Sequence, residues 1–207
     1  ISGSMAQPQF AGRIGADGLR LLHGDLGLDL RNGMLDSEFR GDTLFVKNLA
    51  FQGNGGSIAA SGPIRFSQGK PDAQIALHAE RFMLLDRSDR KLVVSGQSKI
   101  AWRDGRADVT GAFDVNSGFF DIGREDMPQL SDDVVVLGRG KKSAGAMTAA
   151  IDLNVNLANG VALKGRGLDG VLVGQLHLTS APNQLLRAQG SVQITQGTYT
   201  AYGRKLA

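Results

Sequence analysis

The chain has 207 residues, a formal net charge of +3 and no cysteine. The absence of cysteine excludes disulfides, zinc-thiolate sites and thiol catalysis, and cations spread along the chain are not typical of a nucleic-acid binder. Glycine supplies 29 residues, about twice the roughly 7% of average usage. Because helical periodicity is hard to find and short apolar alternations are frequent, we expect an ordered all-β chain.

Residues 1–5, ISGSM, resemble a cloning remnant and carry no fold information. No run approaches the roughly 20 apolar residues of a membrane helix, and the chain does not open on the apolar region of a signal peptide. We expect residues 6–207 to form a single elongated β-domain, a section of a longer protein. The linker-like composition of 138–147 predicts a flexible loop between the halves 6–137 and 148–207.

The first alternation places Leu26, Leu28 and Leu30 on one face, and Asn32-Gly33 predicts a hairpin turn after it. The following segment changes phase around Lys47-Asn48, which predicts a β-bulge. Nearly every later element is expected to pair with the one before it, so the sheet should be a series of antiparallel hairpins.

An eight-residue frame recurs in the chain. It begins and ends with glycine and alternates apolar with polar residues at 190–197, at 62–69 and at 111–118. This frame predicts strands of about eight residues with one apolar face, each closed by a turn at its glycine. The alternation is cleanest from Ile151 to Leu157, and Asn159-Gly160 predicts the turn that follows.

Motifs for catalysis or metal binding are weak. His23, His78 and His177 each stand alone, with no carboxylate or second histidine at metal-ligand spacing. The stretch 137–143 resembles the end of a phosphate loop, but Val135 occupies the position that requires glycine. We therefore interpret it as a basic loop.

The acidic group Asp121, Glu125, Asp126, Asp132 and Asp133 lacks the spacing of a calcium loop. Tyr199 and Tyr202 are interpreted as strand residues with half-buried rings. No nucleophile stands beside a base, so we predict a protein that is not an enzyme and that needs no cofactor or metal. The remaining signal is the apolar stripe, and composition leaves open whether it closes into a sandwich or faces an open groove.

Several blocks carry a family resemblance: Arg90–Gly96, Lys164–Leu168, Gly174–Leu178, and Gly197–Leu206 with the sequence GTYTAYGRKL. In these blocks the chain resembles the carboxyl-terminal domain of the TamB family, which is similar to the AsmA-like lipid-transfer proteins. The resemblance implies an elongated, open, U-shaped antiparallel sheet, a β-taco, with an apolar concave groove.

The resemblance also implies a Gram-negative periplasmic location, with an inner-membrane anchor outside this sequence. It implies contact with TamA, an outer-membrane barrel, mostly through regions beyond this chain. The expected function is phospholipid transport between the inner and outer membranes through the groove, in support of outer-membrane biogenesis. Two alternatives stay open: a chaperone-like assembly factor for outer-membrane proteins and autotransporters, acting with TamA, and a closed β-domain that only spaces other parts.

The residues expected to line the groove and contact phospholipid acyl chains share the apolar positions of the alternating segments. They are Leu49, Phe51, Ile64, Phe66, Ile75, Leu77, Ile100, Trp102, Val109, Phe113, Val115, Ile151, Leu153, Val155, Leu157, Leu163, Leu172, Leu176, Leu178, Val192 and Ile194.

Overall fold

The computed structural model describes the backbone of residues 2–4, 7–53, 55–67, 70–122, 148–201 and 204–206, and the side chains of 10–53, 55–67, 70–122 and 149–200. The described residues form 13 strands of one sheet and contain no helix. The all-β prediction is confirmed. The strands are β1 (Ser2–Ser4), β2 (Gln7–His23), β3 (Leu28–Gly41), β4 (Thr43–Gly53), β5 (Gly56–Ser67), β6 (Lys70–Asp86), β7 (Arg90–Arg103), β8 (Arg106–Asp121), β9 (Thr148–Asn156), β10 (Val161–Gly165), β11 (Leu168–Ser180), β12 (Arg187–Ala201) and β13 (Arg204–Leu206).

The sheet follows chain order with one exception. From β1 to β8, neighbouring strands pair antiparallel, and the same holds for β11 with β12 and for β12 with β13. Between them, β9 and β10 share one place in the sheet, parallel to β8 and antiparallel to β11. The prediction of serial hairpins is therefore confirmed for most of the sheet, and the join between β8 and β9 departs from it.

The turn predicted at Asn159-Gly160 is present, but it does not reverse the chain as a hairpin turn would. The Gly160 amide donates a hydrogen bond to the Leu157 carbonyl at 3.0 Å, which makes a tight turn, but the chain then continues in its earlier direction as β10. The Leu157 amide bonds the Gly174 carbonyl of β11 at 2.8 Å, so the turn stays attached to the sheet. Residues 157–160 thus interrupt one strand position and do not connect two antiparallel strands.

Most strands are longer than the eight residues predicted; β2 and β6 have 17 residues each. The glycines taken as strand ends at Gly62, Gly111 and Gly190 lie inside strands. Gly62 shows the reason: its φ is +146°, and a Cβ there would overlap the Gln74 carbonyl of the neighbouring strand. Glycine here permits a bend and a close backbone approach within a continuing strand.

The predicted hairpin turn at Asn32-Gly33 is also wrong, because both residues lie inside β3. The pairing of β3 with β4 skips between Arg31 and Met34, so the dipeptide forms a bulge. Asn32 has φ +50°, a conformation that asparagine tolerates in bulges as well as in turns. The bulge predicted at Lys47-Asn48 is confirmed by the skip between Val46 and Leu49.

The segment 138–147, predicted to be a flexible loop, lies outside the described residues. The strands on either side of it, β8 and β9, pair directly, as in the register of Phe113 with Val155. Residues from both halves of the sequence therefore belong to one sheet.

The sheet curls toward one face. Beyond the tip of the β4–β5 hairpin, β3 meets β6, and the Asp86 amide bonds the Leu26 carbonyl at 3.0 Å. Phe39 and Phe66 have ring centroids 6.2 Å apart, although their strands are two places apart, which is about 9.6 Å in a flat sheet. The face that carries these rings is therefore concave.

Candidate functional site

One face of the sheet is apolar from end to end. Residues that pair directly across strands share a face, so the register defines rows of side chains that cross the sheet. The longest such row runs in pairing order through Ala16, Leu35, Leu49, Ala60, Leu77, Ser98, Gly111, Leu153, Leu178 and Ala188. Alternation then places the predicted groove residues of the strands on this same face, and Leu157, which follows β9, packs against Val115 and Val161.

The middle of the apolar face is packed. Val115, at 2% exposure, is the centre of one cluster, and Leu30 and Phe82 belong to a second. Phe113 contacts both clusters because Gly96, its direct partner on β7, has no side chain to separate it from β6. The packed middle fixes the curvature of the sheet, since these side chains contact one another across several strands.

Toward both edges of the sheet the same face is open to solvent. On β2 the exposed apolar residues are Phe10, Ile14 and Leu21, and on β12 they are Val192 and Ile194, the last with 53% exposure. A closed sandwich would cover both ends with a second sheet. Among the described residues no second sheet exists, so the apolar face is an open surface.

Aromatic side chains concentrate on the apolar face near one end of the strands. Phe10 and Phe39 have ring centroids 5.5 Å apart, and Phe66 continues the group. Trp102, the single tryptophan of the chain, is half-buried on the same face and pairs with Ala73. Because its neighbours on β6 and β8 are alanines, the indole ring is open toward whatever occupies the face.

The opposite face carries ion pairs, although Leu22, Met34 and Phe45 are exposed on it. Asp29 accepts hydrogen bonds from Arg20, at 2.7 Å, and from Arg31, and these hold its pKa well below the ordinary range. Hydrogen bonds from Arg40 and Lys47 lower the pKa of Glu38 to about 2. Carboxylates with lowered pKa values stay ionised at neutral pH, so they are suited to surface pairing and not to general acid catalysis.

The structure gives His177 a partner that the sequence did not reveal. Its Nε2 lies 2.7 Å from Asp152 Oδ1, because β9 and β11 are adjacent in the sheet. The interpretation of His177 as a lone histidine is therefore wrong. The pair is solvent-exposed, and the described residues contain no group of three or more side chains that could hold a metal ion.

The tyrosines, the acidic group and the basic loop singled out in the sequence lie partly within and partly outside the described residues. Tyr199 lies on β12, as predicted, and about half of its surface is exposed. Asp121 ends β8. The basic loop 137–143 and the residues Glu125, Asp126, Asp132, Asp133 and Tyr202 lie outside the described part of the chain.

Within the described part of the chain, both outer strands have long unpaired edges. On the outer side of β12, β13 pairs only with Tyr199–Ala201. On the outer side of β2, β1 pairs only with Gln7–Gln9. Unpaired backbone groups on such edges can accept a further strand.

A family comparison agrees with this architecture. The model of the TamB C-terminal domain matches residues 47–207, which is more than half of the chain. The chain belongs to the TamB family. TamB proteins are associated with TamA in the translocation and assembly module and form a transport and assembly family, not a known enzyme family.

Membership supports a TamB-related role in outer-membrane assembly and a place in the Gram-negative envelope. No curated protein and no solved structure matches this chain. The described residues contain no helix that is long and apolar enough to cross a membrane.

Proposed function

We propose that the apolar face of this TamB-family domain is a groove that shields phospholipid acyl chains as they cross the periplasm between the inner and outer membranes. The observation that supports the proposal is the continuous row of apolar and small side chains from Ala16 on β2 to Ala188 on β12. Moving a lipid with about 30 acyl methylenes into water costs on the order of 25 kcal/mol. A continuous apolar surface removes most of that barrier.

The dimensions of the face suit this task. Ten strand positions separate β2 from β12 inclusively, with β9 and β10 sharing one. At about 4.8 Å per strand the face is about 43 Å long. In this proposal the domain is one section of a longer conduit, an anchor elsewhere holds the protein to the inner membrane, and TamA is the partner at the outer membrane.

Site-specific photo-crosslinking in cells tests the proposal. A photoreactive residue at Phe113, Val155 or Ile194 faces the groove and should capture phospholipid. The matched controls at the adjacent positions Asp114, Asn154 and Gln193 face the other side of the same strands and should not. Equal lipid labelling of the two sets would contradict a one-faced groove.

The free edges of β2 and β12 favour a second candidate, an assembly factor that pairs with strands of outer-membrane proteins or autotransporters. The same crosslinking experiment separates the two functions by the mass of the adduct. A lipid adds a small mass at groove positions only. A captured outer-membrane protein would increase the mass of the adduct by the mass of a whole protein. Its crosslinks would occur at edge positions on both faces of β12.

A further inference from the structure

The loop between β11 and β12, residues 181–186, ends in two exposed leucines. Leu185 has 89% exposure and is the most exposed large apolar side chain of the described residues, and Leu186 has 56%. The loop itself contains no charged residue. Two adjacent leucines in water are unfavourable, because each would gain free energy on transfer to an apolar environment.

Hydrogen bonds hold this loop in a defined shape. The Gln184 amide donates to the Ala181 carbonyl at 3.0 Å, which closes a turn. The Ser180 hydroxyl lies 3.1 Å from the Ala181 carbonyl and 3.0 Å from that of Gln184. The leucines are therefore displayed by a braced turn, and they do not fold back onto the apolar face beside them.

A cation lies beside the leucines, and exposed apolar residues of the groove face follow further along β12. Val192 and Ile194, further along β12, are exposed on the groove face. Arg187 directly follows Leu186, and among the described residues its guanidinium forms no ion pair. The tip thus combines aliphatic side chains with one free positive charge at their base.

We propose that the 181–186 loop inserts into the surface of a phospholipid bilayer, with Leu185 and Leu186 among the acyl chains and Arg187 at the level of the phosphates. Apolar side chains at a bilayer interface enter the boundary of headgroups and acyl chains by about 5–10 Å, and arginine extends its charge toward the headgroups. Insertion places the β12 end of the apolar face at the membrane. The inference rests on the proposed function, since a lipid groove needs a point where lipids enter or leave.

The composition of the tip favours a bilayer over a protein partner. Protein interfaces concentrate their binding energy in tryptophan, tyrosine and arginine that fill pockets, and leucine is under-represented among such residues. A projecting aliphatic pair beside an arginine needs no shaped pocket. A fluid acyl region accepts it at any orientation about the membrane normal.

Vesicle flotation of the 207-residue chain tests the inference, with vesicles of phosphatidylethanolamine and phosphatidylglycerol. The double variant Leu185→Asn, Leu186→Asn should partition about tenfold more weakly, because two aliphatic side chains no longer transfer from water. Leu22→Asn and Met34→Asn are the controls: they alter side chains that are 64% and 52% exposed but lie outside the loop, and binding should be unchanged. Arg187→Gln should weaken binding to these vesicles but not to neutral phosphatidylcholine vesicles.

Failure of the inference and failure of the proposed function give different results. Lipid capture at Phe113 from dissolved short-chain phosphatidylcholine needs no bilayer, so the double variant should capture lipid normally. Unchanged flotation of the double variant, or no flotation of the parent chain, would overturn the inference and leave the groove untouched. Self-association that disappears in the double variant would instead assign the loop to a contact between copies. Absence of lipid at Phe113 in every variant would contradict the groove alone.

Discussion

Leu153 lies near the middle of the apolar face, half-buried between Gly111 of β8 and Leu178 of β11. In a closed core an unpaired charge there would cost several kcal/mol. On an open face the stem of an arginine can lie along the apolar surface while its guanidinium reaches water.

We therefore expect Leu153→Arg to fold, with a thermal midpoint about 5 °C lower, and to lose lipid capture at Phe113 because an acyl chain would meet a charge on its path. Asn154→Arg, on the polar face of the same strand, is the control and should leave both properties unchanged. Circular dichroism melting and photo-crosslinking measure the two effects. A Leu153→Arg chain that aggregates or melts without cooperativity would favour a closed core.

At the scale of single residues, the sequence predicts which face a side chain occupies, because the two-residue period of a strand is local. It does not predict which residues meet across strands. The contact of His177 with Asp152 depends on β9 and β11 being adjacent, and nothing near either residue in the sequence indicates this.

At the scale of strands, one glycine in β2 and one in β7 share a positive φ but differ in the space that an added Cβ would find. Gly12 and Gly96 both have φ +153°, in a region that other residues avoid. A Cβ at Gly96 would overlap the Ala112 carbonyl on β8, whereas a Cβ at Gly12 would have no atom within 4 Å. Substitutions at these two glycines therefore separate the energetic cost of backbone strain from the cost of a clash between neighbouring strands.

Gly12→Ala should cost about 1 kcal/mol of unfolding free energy, from backbone strain alone. Gly96→Ala should cost about 3 kcal/mol, because β7 and β8 must also separate and Phe113 loses its position over β7. Urea denaturation followed by circular dichroism measures both. Equal losses would show that the close approach of β7 and β8 contributes nothing to the fold.

The sequence predicts the type of the elements better than their ends. Glycine between two alternating segments is compatible with a turn or with a bend inside one strand, and only the close approach of the adjacent strand, as at Gly62, decides between them. Asn-Gly at 32–33 is similarly compatible with a hairpin or a bulge. The parallel placement of β9 and β10 beside β8 has no local signal, because it is determined by pairing across the whole sheet.

At the scale of the whole molecule, the proposed function depends on continuity: each strand adds a few apolar side chains, and only their register makes one surface. The family resemblance indicated an open sheet, which composition alone could not separate from a sandwich. The packed middle, centred on Val115, holds the curvature, while the open ends on β2 and β12 leave apolar surface for a ligand. Trp102 reports on that surface, because it is the single tryptophan and lies on the apolar face.

The most direct test is therefore quenching of Trp102 fluorescence by phospholipids whose acyl chains carry bromine, added as dissolved short-chain monomers. Bromine quenches only at contact distance, so acyl chains in the groove should quench Trp102 strongly and saturably, and the unbrominated lipid, as a control, should not. Quenching should follow lipid binding measured by native mass spectrometry, and Leu153→Arg should reduce both. Lipid that binds without quenching Trp102 would contradict the claim that the apolar face receives the acyl chains.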